Sequence, residues 1–232
     1  MDSVQIAEHL AYSIKQGELI EIPFPHLRMS NCFDRKVYDT LLQYLPESRL
    51  YRPLKHRDAK TEDGVWTRGV FELEKSNIRR LTVARRRFWE GITNALTNSI
   101  VKNSLFDRLH VSIERRFGET DAKSIRGSVV PKPALFRDTV GYKIRPHCDI
   151  SAKVITFQIY LPIDHEQMGL GTSLYEKKNQ AIELVDRIPF FPNSAYAFVP
   201  SDVSLHGREM LTQEDGDRDT LMLICYESKN GF

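Results

Sequence analysis

The stretch Gly141-Tyr-Lys-Ile-Arg-Pro-His147-Cys-Asp149, followed shortly by Lys153-Val-Ile-Thr-Phe-Gln-Ile-Tyr-Leu161, sets the texture of the second half of the chain. Both segments read as strands, at 142–149 and 153–161. Working outward, further strand candidates fall at 109–117, 127–137, 172–177, 181–188, 195–199, 204–211 and 220–227, separated by Gly, Pro, Asp and Asn turns. No helix-length pattern interrupts them. Many short strands without a βαβ rhythm predict a mainly β fold, a sandwich or double-stranded β-helix (jelly roll), with helices flanking one sheet.

Upstream the pattern is mostly helical. Ile6, Leu10 and Ile14 repeat at spacing four within 1–18, and Gly17 is a stop signal. A strand from Leu19 ends in Pro23 and Pro25, which suits an edge. Asn31 or Asp34 caps a helix bearing Val37, Leu41, Leu42 and Leu45. A polar connection covers 47–72. A helix over 76–101 then carries Leu81, Phe88, Trp89, Ile92, Leu96 and Ile100 on one face. Arg79, Arg80, Arg85, Arg86 and Arg87 lie on the same helix; a solvated face is preferred over an anion or nucleic-acid patch because the net charge is only +2. The organisation predicted is one domain overall, with a helical annex at 1–108 packed on a jelly-roll core at 109–232.

Composition narrows the function classes. Hydrophobic content of 41% with 28% charged residues fits a globular chain with a sizeable core and argues against disorder. No apolar run approaches a membrane span, and no signal peptide is visible. Cys32, Cys148 and Cys225 are odd in number and lack CxxC spacing, so a reducing compartment is expected and a thiolate zinc site is not. The expectation is a cytoplasmic protein with neither nucleic-acid nor membrane partners; the oligomeric state is left open.

Chemistry enters with His147 and Asp149, which on a strand would point to one side, and with His206 on a later strand. Two imidazoles and one carboxylate on one face of an octahedral ion leave positions open, as non-haem Fe(II) oxygen chemistry requires. Alone, His-x-Asp is also what a surface histidine on a loop gives. The downstream pair Arg218 and Thr220 adds weight: on one strand face they offer a guanidinium fork and a hydroxyl to a carboxylate. The competing reading of Arg218 is a turn-edge salt bridge with Asp217 or Asp219. Taken with the His/Asp/His order, the carboxylate clamp is preferred. Cys148, between two candidate ligands, is read as a packed thiol. His165 sits in a polar loop, and His9, His26, His56 and His110 have no partner spacing.

With Ala134-Leu-Phe-Arg-Asp-Thr-Val-Gly-Tyr-Lys-Ile-Arg-Pro-His147-Cys-Asp149, Ile155-Thr-Phe-Gln-Ile-Tyr-Leu-Pro162, Gly171-Thr-Ser-Leu-Tyr175, Ala197-Phe-Val-Pro200, Ser204-Leu-His206 and Arg218-Asp-Thr220 in view, the run 127–226 resembles the Fe(II)/2-oxoglutarate-dependent dioxygenase superfamily, in its prolyl-hydroxylase-like branch. Ile22-Pro-Phe-Pro-His-Leu27 before a helix resembles the usual entrance of that family.

The resemblance implies His147, Asp149 and His206 as the iron ligands. It also implies Arg218 and Thr220 at the distal carboxylate of the cosubstrate 2-oxoglutarate, and Tyr142 and Thr156 as further cosubstrate contacts or else core strand residues. The implied activity is hydroxylation of a small-molecule metabolite with dioxygen, 2-oxoglutarate being decarboxylated to succinate. Asp149 favours hydroxylation over halogenation, because halogenating relatives lack that carboxylate. Ile224 stands where AlkB-type demethylases carry a second arginine, which speaks against that branch. Arg145 and Arg208 could line the mouth and select an anionic substrate, or form surface ion pairs; Arg137 is open in the same way. Two alternatives stay beside this reading: a protein (prolyl-type) hydroxylase, which needs a long open groove, and a non-catalytic jelly-roll binding protein.

Overall fold

The structure is a computed structural model and describes residues 2–228. Helix α1 (Ser3–Gln16) leads to the antiparallel strands β1 (Glu18–Ile20) and β2 (His26–Met29), helix α2 (Arg35–Gln43), and the pair β3 (Arg52–Pro53) and β4 (Arg68–Glu72). A helical block follows: α3 (Lys75–Ile78), α4 (Val83–Leu96), α5 (Ser99–Arg108), α6 (His110–Phe117) and α7 (Glu119–Ser128). The rest is strand: β5 (Val129–Asp138), β6 (Ile144–His147), β7 (Lys153–Tyr160), β8 (Ser173–Lys178), β9 (Ala181–Arg187), β10 (Ala195–Phe198), β11 (His206–Arg208) and β12 (Arg218–Glu227). An eight-stranded sheet runs β1-β2-β10-β7-β12-β5-β4-β3, and a four-stranded sheet runs β6-β11-β8-β9. Every pairing within them is antiparallel. The antiparallel β framework with flanking helices is therefore as predicted.

Strand alternation divides the large sheet into two faces. Ile155, Phe157 and Ile159 of β7 join Leu221, Leu223 and Cys225 of β12 and Leu135 of β5 in one cluster with α1, α4 and α5. Trp89 lies at its centre and donates its indole N–H to the Tyr44 carbonyl at 2.7 Å. Each fully buried Ile or Phe side chain here contributes about 1.5–3 kcal/mol. The intervening residues Thr156, Gln158, Met222, Ile224 and Phe136 line a cavity on the opposite face. The small sheet meets that face through Tyr160, Leu174, Phe190, Tyr196 and Phe198. Within the small sheet Gly171 lets the segments before β8 and after β9 meet: a Cβ there would stand 1.5 Å from the Ile188 carbonyl oxygen.

Several elements differ locally from those predicted. The helix predicted over 76–101 is broken into α3, α4 and α5. Arg86 donates to the Arg79 and Leu81 carbonyls at the first break, and Asn98 accepts from the Ile100 amide to start α5. Leu81, Phe88, Trp89, Ile92 and Leu96 are nonetheless all buried. The segment predicted as a strand at 109–117 is helix α6: only Leu109 and Ile113, four apart, turn inward, while Val111 is exposed. The strand predicted from 127 starts at Val129, because α7 runs to Ser128. The strand predicted over 204–211 shortens to β11. Of the five arginines, Arg79 and Arg80 at the break before α4 and Arg87 on α4 are exposed, and Arg85 and Arg86 are partly buried. Among the described residues, no helix is long and apolar enough to cross a membrane.

Candidate metal centre and its cavity

Strands β6 and β11 lie side by side with His147 directly opposite His206. Opposed residues of an antiparallel pair have Cβ atoms about 5 Å apart, and the two imidazole centroids are 4.5 Å apart. Gly207 lets the strands meet so closely; a Cβ there would stand 2.8 Å from the Ile144 carbonyl oxygen. Each ring is oriented by a backbone carbonyl two residues earlier: His147 Nδ1 bonds Arg145 O at 3.0 Å, and His206 Nδ1 bonds Ser204 O at 2.9 Å. A carbonyl only accepts, so both Nδ1 atoms carry the proton and both Nε2 lone pairs are left for a ligand.

Asp149 is not on the strand, as the i, i+2 argument supposed. β6 ends at His147, and the chain turns through 148–152 into β7. The carboxylate is brought to the imidazoles by its own partners. Thr156 donates to Oδ2 at 2.8 Å, and the Lys153 ammonium bonds Oδ1. His206 Nε2 is 4.0 Å from Asp149 Oδ2, and one donor atom from each of the three residues falls within 4.8 Å of the others. Among the described residues, no other group of three His, Cys, Asp or Glu side chains converges in this way.

The electrostatics set the protonation states a cation needs. Burial pushes His206 down to about 4 and lowers His147 as well, so both are neutral bases at neutral pH. Burial acts against ionisation of Asp149, but Lys153, His206 and the Thr156 hydroxyl outweigh it and hold the carboxyl at about 2.

The three residues open onto a cavity of about 740 Å³ whose wall also carries Arg68, Tyr142, Thr156, Arg208 and Arg218. Antiparallel register places Arg68, Asp138 and Arg218 in one row across β4, β5 and β12. Asp138 is fully buried between two arginines. Arg218 Nη1 donates to its Oδ2 at 2.8 Å, and Arg68 Nε stands 3.2 Å from its Oδ1. Arg218 Nε donates to the Leu170 carbonyl at 2.7 Å.

No protein-family model matches the chain, and no curated protein matches it in sequence. Solved structures do match its fold. A prolyl 4-hydroxylase from Phytophthora capsici superposes with a TM-score of 0.58 at 13% identity, over 97% of this chain and 66% of that one. A Trichoplax adhaerens prolyl hydroxylase, solved with a hypoxia-inducible-factor peptide fragment, gives 0.53 at 13% identity, over 98% and 91%. An oxidoreductase of the 2OG-Fe(II) oxygenase family from Burkholderia pseudomallei gives 0.53 at 12%, over 95% and 90%. The chain shares the fold of these solved prolyl hydroxylases and 2OG-Fe(II) oxygenase. It spans just under two thirds of the length of the P. capsici enzyme.

For a chain with the 2OG-Fe(II) oxygenase fold, the donor set fits the implied metal: two neutral imidazole nitrogens and a carboxylate, with the cavity on their open side. The second pole fits a carboxylate. Arg218 Nη2 donates no hydrogen bond to any described residue, and the Thr220 hydroxyl is buried with no partner. Such an orphaned polar atom is costly unless something else meets it.

The other predicted residues separate. Arg218 pairs with Asp138 and not with Asp217 or Asp219, because Asp219 is taken by a two-pronged Arg137 contact at 2.8 Å on each oxygen. That pairing leaves Arg137 off the cavity wall, against Ser48 and the Tyr51 ring. Tyr142 is buried, and its hydroxyl accepts from Arg68 Nη1. The Thr156 hydroxyl is given to Asp149. Arg145 reaches Asp58 at 2.8 Å with its side chain 58% exposed, whereas Arg208 is buried. Cys148 is half-buried and points its thiol at the Asp202 carbonyl.

Arg68, Asp138 and Lys153 were missed in the sequence. Lys153 had a faint signal, four residues past Asp149. Arg68 and Asp138 had none, because only the strand register joins them.

Proposed function

We propose that the chain is a non-haem Fe(II)/2-oxoglutarate-dependent oxygenase that hydroxylates a small molecule, its two sheets forming a double-stranded β-helix around the site. The observation that carries this reading is the convergence of the His147, Asp149 and His206 donors on a cavity that also holds Arg218. In it, His147, Asp149 and His206 hold Fe(II). Arg218 and Thr220 receive the distal carboxylate of 2-oxoglutarate, with Tyr142 and Arg68 beside them. Bound iron, 2-oxoglutarate and dioxygen together supply the oxidising chemistry, with succinate and carbon dioxide as by-products.

The chain's own contribution is orientation and exclusion of water. Backbone carbonyls fix both imidazoles, and Thr156 and Lys153 fix the carboxylate. Phe136, Met222 and Ile224 give the cavity an apolar wall. Asp149 fills the position that a halide would need, which supports hydroxylation over halogenation. A cavity of about 740 Å³ lies in the range of small-molecule pockets, roughly 300–1,000 Å³, and has room for 2-oxoglutarate with a small substrate beside it.

Anaerobic addition of Fe(II) and 2-oxoglutarate should produce a weak visible charge-transfer band. A folded, metal-loaded protein without that band would overturn the reading.

A further inference from the structure

Arg208 follows His206 by two residues on β11, and although the register with β6 shifts between them, both side chains line the cavity. Arg208 is 7% exposed. Its compensation is incomplete. Nη1 reaches Glu209 Oε2 at 2.7 Å, Nε is buried with no partner, and Nη2 donates no hydrogen bond to any described residue. Nε and Nη2 form the side edge of a guanidinium, which takes a carboxylate in two parallel hydrogen bonds. That edge is unspent.

Glu209 does not belong to Arg208 alone. Arg187 Nη2 lies 2.9 Å from its Oε1, and Ser173 and Tyr175 donate to the same carboxylate. Across the cavity Asp138 serves both Arg68 and Arg218. The buried Arg208 and Arg218 thus each share a carboxylate, Arg208 with the exposed Arg187 and Arg218 with Arg68. A buried guanidinium whose donors are only part-used is costly unless a ligand completes its set.

The cosubstrate does not complete it. On the reading proposed above, the proximal carboxylate of 2-oxoglutarate is offset by the metal with Asp149. Its distal carboxylate is taken by Arg218 and Thr220. The Nε and Nη2 donors of Arg208 are left over.

We infer that the substrate is a small organic acid and that Arg208 receives its carboxylate through the Nε–Nη2 edge, beside the metal centre. Arg208 is then a specificity-determining residue: it fixes which carbon of the substrate faces the metal. This inference rests on the oxygenase reading but is tested apart from it.

The probes are propionate and benzoate, each beside its amide, propionamide or benzamide. They are added without oxygen to protein loaded with Mn(II) and saturating 2-oxoglutarate. The readout is the relaxation of probe protons by the paramagnetic metal. The acids should be relaxed roughly ten-fold more strongly than the amides, as a charge-assisted pair requires. Arg208→Met keeps the aliphatic stem and should erase the preference. Glu209→Gln removes the competing carboxylate and should strengthen it; that variant keeps the test alive if Arg208→Met fails to fold.

Equal relaxation of acids and amides in the unaltered protein overturns the inference. So does a preference that survives Arg208→Met, or acid binding that disappears once 2-oxoglutarate is saturating, since Arg208 would then belong to the cosubstrate. Loss of the acid preference with the Fe(II)–2-oxoglutarate band intact sinks this inference alone; loss of the band sinks the oxygenase reading.

Discussion

The cavity has two poles built on different principles. At the metal pole the groups are close in sequence or directly paired: His147 faces His206 across one strand pair, and Asp149 follows two residues on. Neutral bases and one carboxylate are held by backbone carbonyls, Thr156 and Lys153. At the guanidinium pole the groups come from three strands far apart in the chain, and a single buried carboxylate, Asp138, ties Arg68 to Arg218. The first pole is arranged to receive a cation and leaves lone pairs facing the cavity. The second is over-supplied with cations and leaves donors facing it. Folding therefore stores opposite deficits at the two ends of one space, and a dianion chelating a metal at one end would meet both.

The sharpest way to break the contrast is Asp138→Asn. It leaves buried Arg218 and part-buried Arg68 without their shared charge, and removing one partner of a buried ion pair costs about 3–5 kcal/mol. Thermal or urea unfolding should show that loss. A change near zero would mean that the arginines are already compensated by groups other than Asp138. At the metal pole the expected effect is on binding. His206→Ala removes a candidate ligand, so Fe(II) or Mn(II) affinity should fall by more than about 100-fold, the upper limit for losing an outer-shell partner. Circular dichroism should show the fold retained, because the buried imidazole it deletes carries no charge.

The two poles also differed in how far they could be read from the sequence. His147, Asp149, His206 and Arg218 were legible because a short spacing and a strand period place them on faces. Period tells which face a residue takes, not which residue lies beside it across the sheet. Arg68 lay in a polar connection with no motif, and its neighbour Asp138 looked like the start of a turn. Only the register of β4 on β5 and β5 on β12 makes them partners of Arg218. The same limit explains α6. Leu109 and Ile113 fit a helix, but the apolar run around them also fits a strand, and the contacts of Arg116 with the Ser151 and Lys153 carbonyls that hold it down lie beyond local pattern. The strand-rich texture after Val129 was legible because its turns are marked by Gly, Pro, Asp and Asn.

Arg218→Met and Arg68→Met sharpen the guanidinium pole from within. Arg218 keeps Nη2 and an adjacent orphan hydroxyl, Thr220, for a carboxylate. Losing a hydrogen bond to a charged group costs about 1.5–3 kcal/mol, so Arg218→Met should raise the 2-oxoglutarate concentration needed by roughly 10- to 150-fold. Arg68 is engaged with Asp138, the Tyr142 hydroxyl and the Phe136 ring. Its loss should fall on stability and shift the 2-oxoglutarate requirement less than Arg218→Met does. Equal shifts in cosubstrate requirement would make the two arginines a joint clamp.

The smallest expected effect tests which pole Thr156 serves. The resemblance in sequence places it with 2-oxoglutarate, whereas the structure gives its hydroxyl to Asp149 Oδ2 at 2.8 Å. Val has the same shape without the hydroxyl, so Thr156→Val leaves packing in place and removes one hydrogen bond from the carboxylate. Lys153 still holds the other oxygen, which limits the damage. Outer-shell partners of this kind are worth about 10–100-fold in metal affinity, and a supported carboxylate belongs near the lower end, at roughly 10-fold. Metal titration of the variant should show that loss with the 2-oxoglutarate requirement of the loaded protein unchanged. The reverse result, unchanged metal affinity with a raised 2-oxoglutarate requirement, would move Thr156 to the cosubstrate. Support of Asp149 would then rest on Lys153 alone, and a metal arriving at Asp149 would have to displace the one group still orienting it.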